Sequence, residues 1–189
     1  ARALQLRTGT HAGRLLFCAH QTAVVDHHPG SIAPVFVSDD GGRSYRTTSV
    51  LPRGVPGDMH YGPDECSMVE LSNGTVRLDG RNNWYDQTKH YTRTYFLSTD
   101  AGETFGAQQF DDALSLDPTC PGSQLSLRDA SGRSLWLSGP VADGRSPDPW
   151  RARVNMSVHR STSLGDTWSP PVQVVDGPSG YNCLSELQV

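Results

Sequence analysis

The chain of 189 residues is long enough for one sizeable domain, and its 16 basic and 20 acidic residues give a formal net charge of −4. These charges are spread along the sequence without a basic run that could follow a phosphate backbone, which argues against nucleic acid as a partner. No stretch approaches the roughly 18–20 consecutive apolar residues that span a bilayer, and 19 glycines and 13 prolines favour many short strands over long helices.

An eight-residue pattern recurs three times along the chain, as Ser38–Tyr45, Ser98–Phe105 and Ser161–Trp168. The copies share the pattern S-x-D-x-G-x-[ST]-aromatic, except that Ser163 replaces the aspartate in the third. An aspartate in such a turn accepts hydrogen bonds from backbone amides, and glycine supplies the positive φ that chain reversal needs. Each copy therefore predicts a hairpin turn whose aromatic residue packs back onto the sheet.

Short strand-like runs flank these turns and predict an all-β fold. In chain order they are Val35–Val37, Cys66–Leu71, Thr75–Asp79, Thr92–Leu97, Ala107–Phe110, Val154–Arg160 and Pro171–Val175. Four antiparallel strands repeated at about 60 residues indicate β-propeller blades in which the turn joins the third strand to the fourth. The alternative is a flat meander or sandwich whose turns happen to share residue types.

The alternation in Cys183–Val189 predicts a further strand that is still in progress at the last residue. We therefore expect residues 1–189 to be a partial propeller of about three blades, truncated at both ends.

The cysteines and histidines give no metal signature. Cys18, Cys66, Cys120 and Cys183 are widely spaced and read as buried thiols, and His27-His28 has no carboxylate or cysteine partners at ligand spacing. We therefore predict no metal and no organic cofactor. The sequons at Asn73 and Asn155 are compatible with passage through the secretory pathway.

The repeated turns resemble the Asp-boxes of sialidases, which also occur in propellers that cleave no sugar. Four further segments resemble animal sialidases, the lysosomal type most of all, in the right order over nearly the whole chain. They are Gly62–Cys66, Gly80–Asn82, Arg153–Ser157 and Gly177–Tyr181. The resemblance implies a six-bladed propeller, a lysosomal location, a sialylated glycoconjugate substrate, and a membrane surface or a protective protein as candidate partners.

The resemblance also implies roles for particular residues. The family's glutamate in the Pro-Asp-Glu-Cys segment, here Glu65, pairs with the nucleophilic tyrosine, here Tyr181. Arg81 and Arg153 match two of three arginines that grip the substrate carboxylate. The family's remaining arginine and its acid/base aspartate are expected upstream and a further glutamate downstream, so residues 1–189 alone are expected to show no turnover.

Asn82 and Asn155 stand beside the two arginines and are additional candidates for holding substrate. Tyr61, Trp84, Tyr85 and Tyr91 either line the pocket or, as we favour, fill the space between blades. The loop at 20–31, with Asp26, His27 and His28, has no clear counterpart in the family.

These residue types suit the chemistry of sialic acid, which carries a carboxylate on its anomeric carbon. Guanidinium groups stay charged and present a planar fork to carboxylate oxygens. A tyrosine can approach that carbon uncharged, where a carboxylate nucleophile would be repelled; sialidases are a known tyrosine-nucleophile exception among glycosidases. Because a free phenol has a pKa near 10, Tyr181 needs a base in contact, and Glu65 is the candidate.

The function implied is an exo-α-sialidase that removes terminal sialic acid from glycoproteins, oligosaccharides and gangliosides with retention of configuration. The main alternative is a noncatalytic Asp-box propeller that binds glycans or proteins, and a transferase or intramolecular sialidase is a third. Each residue also has a structural interpretation. Glu65 and Arg81 could be a simple ion pair, Arg153 part of a solvated cluster with Arg151 and His159, and Tyr181 a packing residue.

Overall fold

The computed structural model describes residues 3–25, 28–51, 63–82, 90, 92–114, 118–129, 132–142 and 152–187. These residues form strands, turns and bends, and no helix among them is long and apolar enough to cross a membrane. The expectations for Asp26, His27, Tyr61, Trp84, Tyr85, Tyr91 and Arg151 fall outside the described residues.

The strands form three antiparallel sheets. The first contains β1 (Leu4–Gln5), β2 (Leu15–Cys18), β3 (Gln21–Val25), β4 (His28–Ser38) and β5 (Arg46–Leu51). The second contains β6 (Cys66–Glu70), β7 (Val76–Gly80), β8 (Thr94–Ser98) and β9 (Gln109–Phe110), and the third β10 (Ser123–Asp129), β11 (Gly132–Val141), β12 (Val154–Ser161) and β13 (Val172–Pro178). The all-β prediction is confirmed, with strand ends shifted by a few residues.

The second and third sheets are meanders built in chain order, as a propeller blade requires. The second sheet runs β6-β7-β8-β9 and the third β10-β11-β12-β13. In the first sheet, β2 and β3 pair with successive parts of β4, and β5 lies on the other side of β4. The repeated turns join β4 to β5, β8 to β9 and β12 to β13, so the predicted link between third and fourth strands is confirmed.

The strand predicted over Cys183–Val189 is wrong where the structure describes it. Residues 183–187 are not in a strand, and Leu187 is 84% exposed. A strand needs a hydrogen-bonded neighbour, and in the described ranges only the Leu184 amide bonds toward β10, to Ser123 Oγ at 2.9 Å. Alternating residue types alone do not make a strand here.

A hydrophobic core lies between the first and second sheets. Leu16, Val35 and Val37 from the first sheet meet Val76, Leu78 and Phe96 from the second, and all six side chains are nearly or fully buried. Alternation along β7 sends the intervening Arg77 toward the third sheet, where its guanidinium carbon lies 6.0 Å from the Trp168 ring centroid. The middle sheet therefore packs on both of its faces.

The repeated turns have the predicted hydrogen bonds. Asp100 Oδ1 accepts from the Thr104 amide at 2.9 Å and from Ser98 Oγ at 2.8 Å. Asp40 accepts from the Ser44 amide at 2.9 Å in the first copy, and in the third Ser163 Oγ accepts from the Thr167 amide at 2.9 Å. A single hydroxyl oxygen thus reproduces the backbone contact that the carboxylate makes elsewhere.

The second and third turns also pack against the preceding sheet. Gly102 has φ +86°, and a Cβ there would overlap the Leu16 side chain of the first sheet. Gly165 has φ +104°, and a Cβ there would lie 2.7 Å from Arg77 Nη1 of the second sheet. Glycine is needed at both positions for its backbone conformation and because the neighbouring sheet leaves no room for a side chain.

Charged groups reinforce these two junctions, in which a turn packs against the preceding sheet. Buried Arg14 on the first sheet donates to Asp39 at 2.7 Å and to Glu103 of the second turn at 2.8 Å. At the next junction, Asp111 accepts from Arg77 at 2.5 Å and from Trp168 Nε1 at 2.8 Å. Each buried charge therefore has a partner, as low-dielectric surroundings require.

The expectation that all four cysteines are buried thiols is wrong. Cys18 of β2 and Cys66 of β6 form a disulfide between the first and second sheets, with their Cα atoms 6.3 Å apart. Cys183 is an exposed free thiol, and only Cys120 is a buried one. The 48-residue separation of Cys18 and Cys66 carries no signal in the sequence, because the packing of the sheets brings them together.

We expect Asp100→Ala to lower the free energy of unfolding of the complete protein by about 1–2 kcal/mol, because it removes the acceptor of the turn's hydrogen bonds. Chemical denaturation measures the change. Asp166→Ala is the control, since this exposed acid occupies a variable position of the third turn. Equal effects of the two substitutions would contradict the role assigned to Asp100.

We expect replacement of Cys18 and Cys66 by serine to lower the free energy of unfolding by about 4 kcal/mol, from the loop-closure entropy of a crosslink over this separation. Cys183→Ser should leave stability unchanged because that thiol is exposed. Thermal or chemical denaturation under non-reducing conditions provides the comparison. A double variant as stable as the unmodified protein would show that this crosslink does not constrain the unfolded chain.

Candidate active site

The predicted catalytic residues lie at one end of the sheets, opposite the repeated turns. Glu65 immediately precedes β6 and Arg81 follows β7, while Arg153 precedes β12 and Tyr181 lies beyond the end of β13. The strand directions in antiparallel pairs therefore bring all four to the same end.

Glu65 and Arg81 continue the pairing of β6 with β7. The Arg81 amide donates to the Glu65 carbonyl at 3.1 Å, and the Asp64 amide donates to the Arg81 carbonyl at 3.0 Å. Across this ladder Arg81 Nη1 donates to Glu65 Oε2 at 2.8 Å. The ion pair that the alternative interpretation named is therefore present, and the backbone fixes both of its members.

Arg153 and Tyr181 approach this pair from the third sheet. The Ser179 amide donates to the Arg153 carbonyl at 2.9 Å, which holds the ends of β12 and β13 together. Arg153 Nη2 donates to the Thr119 carbonyl at 2.9 Å, and its guanidinium carbon is 6.0 Å from the Tyr181 ring centroid. Tyr181 is 68% exposed, so its ring is accessible rather than packed in the core.

The electrostatics of the site couple Tyr181 to Glu65. Burial raises the pKa of Glu65, but hydrogen bonds from Arg81 and Tyr181 and the charges of Arg81 and Arg153 outweigh it, and the net pKa is lowered. Contact with the Glu65 carboxylate raises the pKa of Tyr181 above its ordinary value. The site thus holds an ionised carboxylate against a neutral phenol.

The two arginines oppose the effect of Glu65 on the phenol but do not dominate. Their charges lower the pKa of Tyr181, yet the hydrogen bond and charge of Glu65 act in the opposite direction and prevail. Burial lowers the pKa of Arg81, but Glu65 and Asp64 raise it by more. The arginines alone therefore do not make Tyr181 a phenolate in the resting site.

The two asparagine candidates have structural contacts. Asn82 is buried, and its Nδ2 donates to the His90 carbonyl at 2.8 Å, which ties the segment after β7 to the approach to β8. Asn155 has φ +54° at an irregularity in the pairing of β12 with β13. Asparagine tolerates this left-handed conformation better than most residues.

The alternative of a solvated cluster around Arg153 fails for His159. That imidazole is buried and meets the Trp168 ring edge-on, with centroids 6.4 Å apart. Burial accordingly lowers the pKa of His159. Arg153 instead faces Thr119 and Tyr181.

Two polar residues near the site carried no role in the sequence interpretation. Asp64 Oδ1 lies 3.1 Å from His20 Nε2, and Asp64 Oδ2 lies 4.0 Å from Arg81 Nε. The place of Asp64 next to Glu65 was the only available signal for it, whereas nothing in the sequence links His20 to this end of the sheets. Among the described residues, no cluster of three or more potential metal ligands occurs.

A cavity of about 220 Å³ opens beside Glu65 and Tyr181. Glu65 and Tyr181 line one part of it, and the starts of β6 and β10 line the rest, including Met68 and Gln124. The side-chain Nδ2 of Asn182 donates to the Pro121 carbonyl at 3.4 Å and so holds the segment after Tyr181 against the residues that precede β10.

Sequence similarity points to one group of enzymes. The chain is 31% identical over 186 residues to a sialidase of Micromonospora viridifaciens and 28% identical over 193 residues to a sialidase of Vibrio cholerae. These alignments cover 97% and 95% of the chain. They support kinship with the sialidase family. The chain spans about a quarter of the length of these relatives, 26% and 24%, and no family profile matches it.

Solved structures show the same fold. The structure of NanB, a sialidase of Streptococcus pneumoniae, matches 98% of the chain with a TM-score of 0.70 at 19% identity, over 25% of its own length. A leech intramolecular trans-sialidase matches 96% with a TM-score of 0.67 at 18% identity, also over 25% of its length. The chain therefore has the fold of part of a sialidase β-propeller, as the repeat predicted.

We expect Glu65→Gln to lower the pKa of Tyr181, because the carboxylate is the main cause that raises it and both arginines remain. Ultraviolet titration of phenolate absorbance in the complete protein measures the shift, with Tyr181→Phe subtracted to isolate this tyrosine. Glu186→Gln is the control, since this acid pairs with Arg7 at 3.4 Å. An unchanged or higher pKa in Glu65→Gln would contradict the coupling.

Proposed function

We propose that the protein containing this chain is an exo-α-sialidase. Its substrates are terminal sialic acids on glycoproteins, oligosaccharides and gangliosides, and it hydrolyses them with retention of configuration. The observation that carries the proposal is the coupling of the accessible Tyr181 phenol to the Glu65 carboxylate beside two guanidinium groups. Similarity to named sialidases supports it.

Arg81 and Arg153 bind the substrate carboxylate in this proposal. They come from different sheets, and both interact electrostatically with Tyr181. Arg81 is anchored through Nη1 by Glu65 and Arg153 through Nη2 by Thr119, which limits the side-chain entropy lost on binding. A planar guanidinium with its remaining N–H groups matches a carboxylate better than an ammonium would.

Tyr181 is the nucleophile and Glu65 its base. In the resting site the opposed pKa shifts keep the proton on the phenol. As the bond from the anomeric carbon to the leaving group stretches, positive charge grows on that carbon and favours a phenolate beside it. The phenol proton passes to Glu65, the tyrosine oxygen bonds to the anomeric carbon, and the leaving oxygen departs.

The leaving group needs a proton from an acid outside these residues, such as the aspartate that the resemblance places upstream. Water then attacks the anomeric carbon of the glycosyl-tyrosine and gives a proton to the conjugate base of that acid, while Glu65 returns its proton to the departing phenolate. The same steps with a sugar hydroxyl in place of water would give transfer, and with a hydroxyl of the bound sugar itself an anhydro product. The identity of the product therefore separates a hydrolase from a transferase or an intramolecular sialidase.

The disulfide bears on where the protein matures. A crosslink between β2 and β6 requires an oxidising environment to form, and the Asn73 sequon lies in an exposed turn. Both support a route through the secretory pathway, with the lysosome as the proposed destination. Mobility on non-reducing gels before and after reduction, together with organelle fractionation, tests this part of the proposal.

We expect Tyr181→Phe in the complete protein to reduce kcat by at least about 100-fold while changing the affinity for a sialic acid analogue less than about threefold, because only the nucleophilic oxygen is lost. Hydrolysis of a fluorogenic sialoside and calorimetric titration give the two numbers. Tyr45→Phe, at the opposite end of the sheets, is the control.

Equal loss of turnover and analogue binding in Tyr181→Phe would count against the nucleophile assignment. Proton NMR during hydrolysis provides an independent check, since retention gives the α-anomer of free sialic acid first. Initial release of the β-anomer would contradict the covalent intermediate.

A further inference from the structure

Arg81 has one N–H group that lacks an acceptor in the resting site. Its Nη1 is bonded to Glu65, whereas Nε is buried and has no hydrogen-bond partner among the residues that the structure describes. The Oδ2 atom of Asp64 lies 4.0 Å from this Nε, about 1 Å beyond hydrogen-bond distance. A buried donor without an acceptor is costly, so a small rotation of the guanidinium toward Asp64 is favoured whenever Glu65 releases it.

Asp64 is itself held in place from the first sheet. Its side chain is 11% exposed, and Oδ1 lies 3.1 Å from Nε2 of His20, which lies between β2 and β3. Ser31 on β4 approaches the same imidazole nitrogen at 3.4 Å. The Asp64 amide bonds to the Arg81 carbonyl, so both the side chain and the backbone of Asp64 are fixed relative to Arg81.

The disulfide lies beside this contact. Cys18 is two residues before His20, and Cys66 is two residues after Asp64. The covalent link therefore holds together the two chain segments that carry the His20–Asp64 pair. The distance between these side chains depends on the packing of the first sheet against the second.

We propose that Asp64 is the positioning residue of Arg81 and that His20 keeps Asp64 in place. This inference rests on the proposed function, in which Arg81 binds the substrate carboxylate. With Glu65 as its only acceptor, the guanidinium would be drawn toward the base of the nucleophile. Asp64 on the Nε side opposes that pull and sets the plane in which the Nη groups meet the ligand.

The arrangement also limits repulsion between Asp64 and an anionic substrate. Asp64 lies on the Nε side of Arg81, so the guanidinium stands between this carboxylate and the substrate carboxylate that the Nη groups are assigned to bind. A hydrogen bond from His20 Nε2–H further spreads the charge of Asp64 over the imidazole contact. The carboxylate can thus orient Arg81 at little cost to binding.

The test compares a sialic acid analogue, the 2,3-didehydro derivative, as its free acid and as its methyl ester. The ester keeps the ring and its substituents but loses the charge that Arg81 recognises. In the complete protein we expect Asp64→Asn to weaken binding of the free acid about 10-fold and that of the ester less than about twofold, since a misplaced guanidinium affects the carboxylate contact alone. Inhibition constants give the acid-to-ester ratio directly.

Variants of His20 keep the proposal testable if Asp64→Asn fails to fold. His20→Ala should lower the acid-to-ester ratio about threefold, and His20→Gln, which retains a donor of similar reach, should restore it. Asp112→Asn is the matched control, because Asp112 pairs with His90 at 2.9 Å in an exposed Asp–His pair. It should leave the ratio unchanged.

Separate outcomes identify which idea fails. Suppose that Asp64→Asn weakens binding of the acid and of the ester equally, or leaves both unchanged, while Arg81→Ala abolishes the preference for the acid. The positioning role is then refuted and the proposed function stands. If Arg81→Ala leaves the ratio at its original value, Arg81 does not bind the carboxylate and the proposed function itself is at fault. If His20→Ala lowers the acid-to-ester ratio and His20→Gln does not restore it, His20 does not hold Asp64 in place.

Discussion

The close packing of the second and third repeated turns against the preceding sheet is the constraint on which this structure depends. Gly102 and Gly165 allow this approach, one against Leu16 and the other against Arg77. Their positive φ values and the absence of a side chain are needed together, so the turn chemistry and the sheet packing depend on the same residue. Buried Arg14 and Asp111 then find partners across the two junctions, in Glu103 and in Trp168.

The candidate site is a consequence of that packing. Glu65 and Arg81 belong to the second sheet, whereas Arg153 and Tyr181 belong to the third. Within a sheet, backbone pairing places the members of each pair, but only the angle between sheets sets the approach of the phenol to the acid. The repeated turns at one end of the sheets thus determine the chemistry available at the other.

The resting electrostatics favour a neutral Tyr181 phenol rather than a permanent phenolate. The pKa of Tyr181 is raised and that of Glu65 is lowered, so proton transfer is unfavourable until charge develops on the substrate. In the proposed function, such a site stabilises the transition state more than the free enzyme, which is what catalysis requires. In the same proposal the nearby arginines serve this end, because an anionic substrate withdraws part of their charge from Glu65 when it binds.

The sequence by itself determined the all-β class, the meanders of the second and third sheets and the place of the turns, because periodicity, glycine and aspartate act over a few neighbouring residues. It also indicated Glu65, Arg81, Arg153 and Tyr181, through short segments that resemble a known family. Tertiary structure alone decided the Cys18–Cys66 disulfide and the approach of His20 to Asp64. It also decided that residues 183–187 form no strand. These features depend on which surfaces meet across tens of residues, and local residue patterns carry no information about such distances.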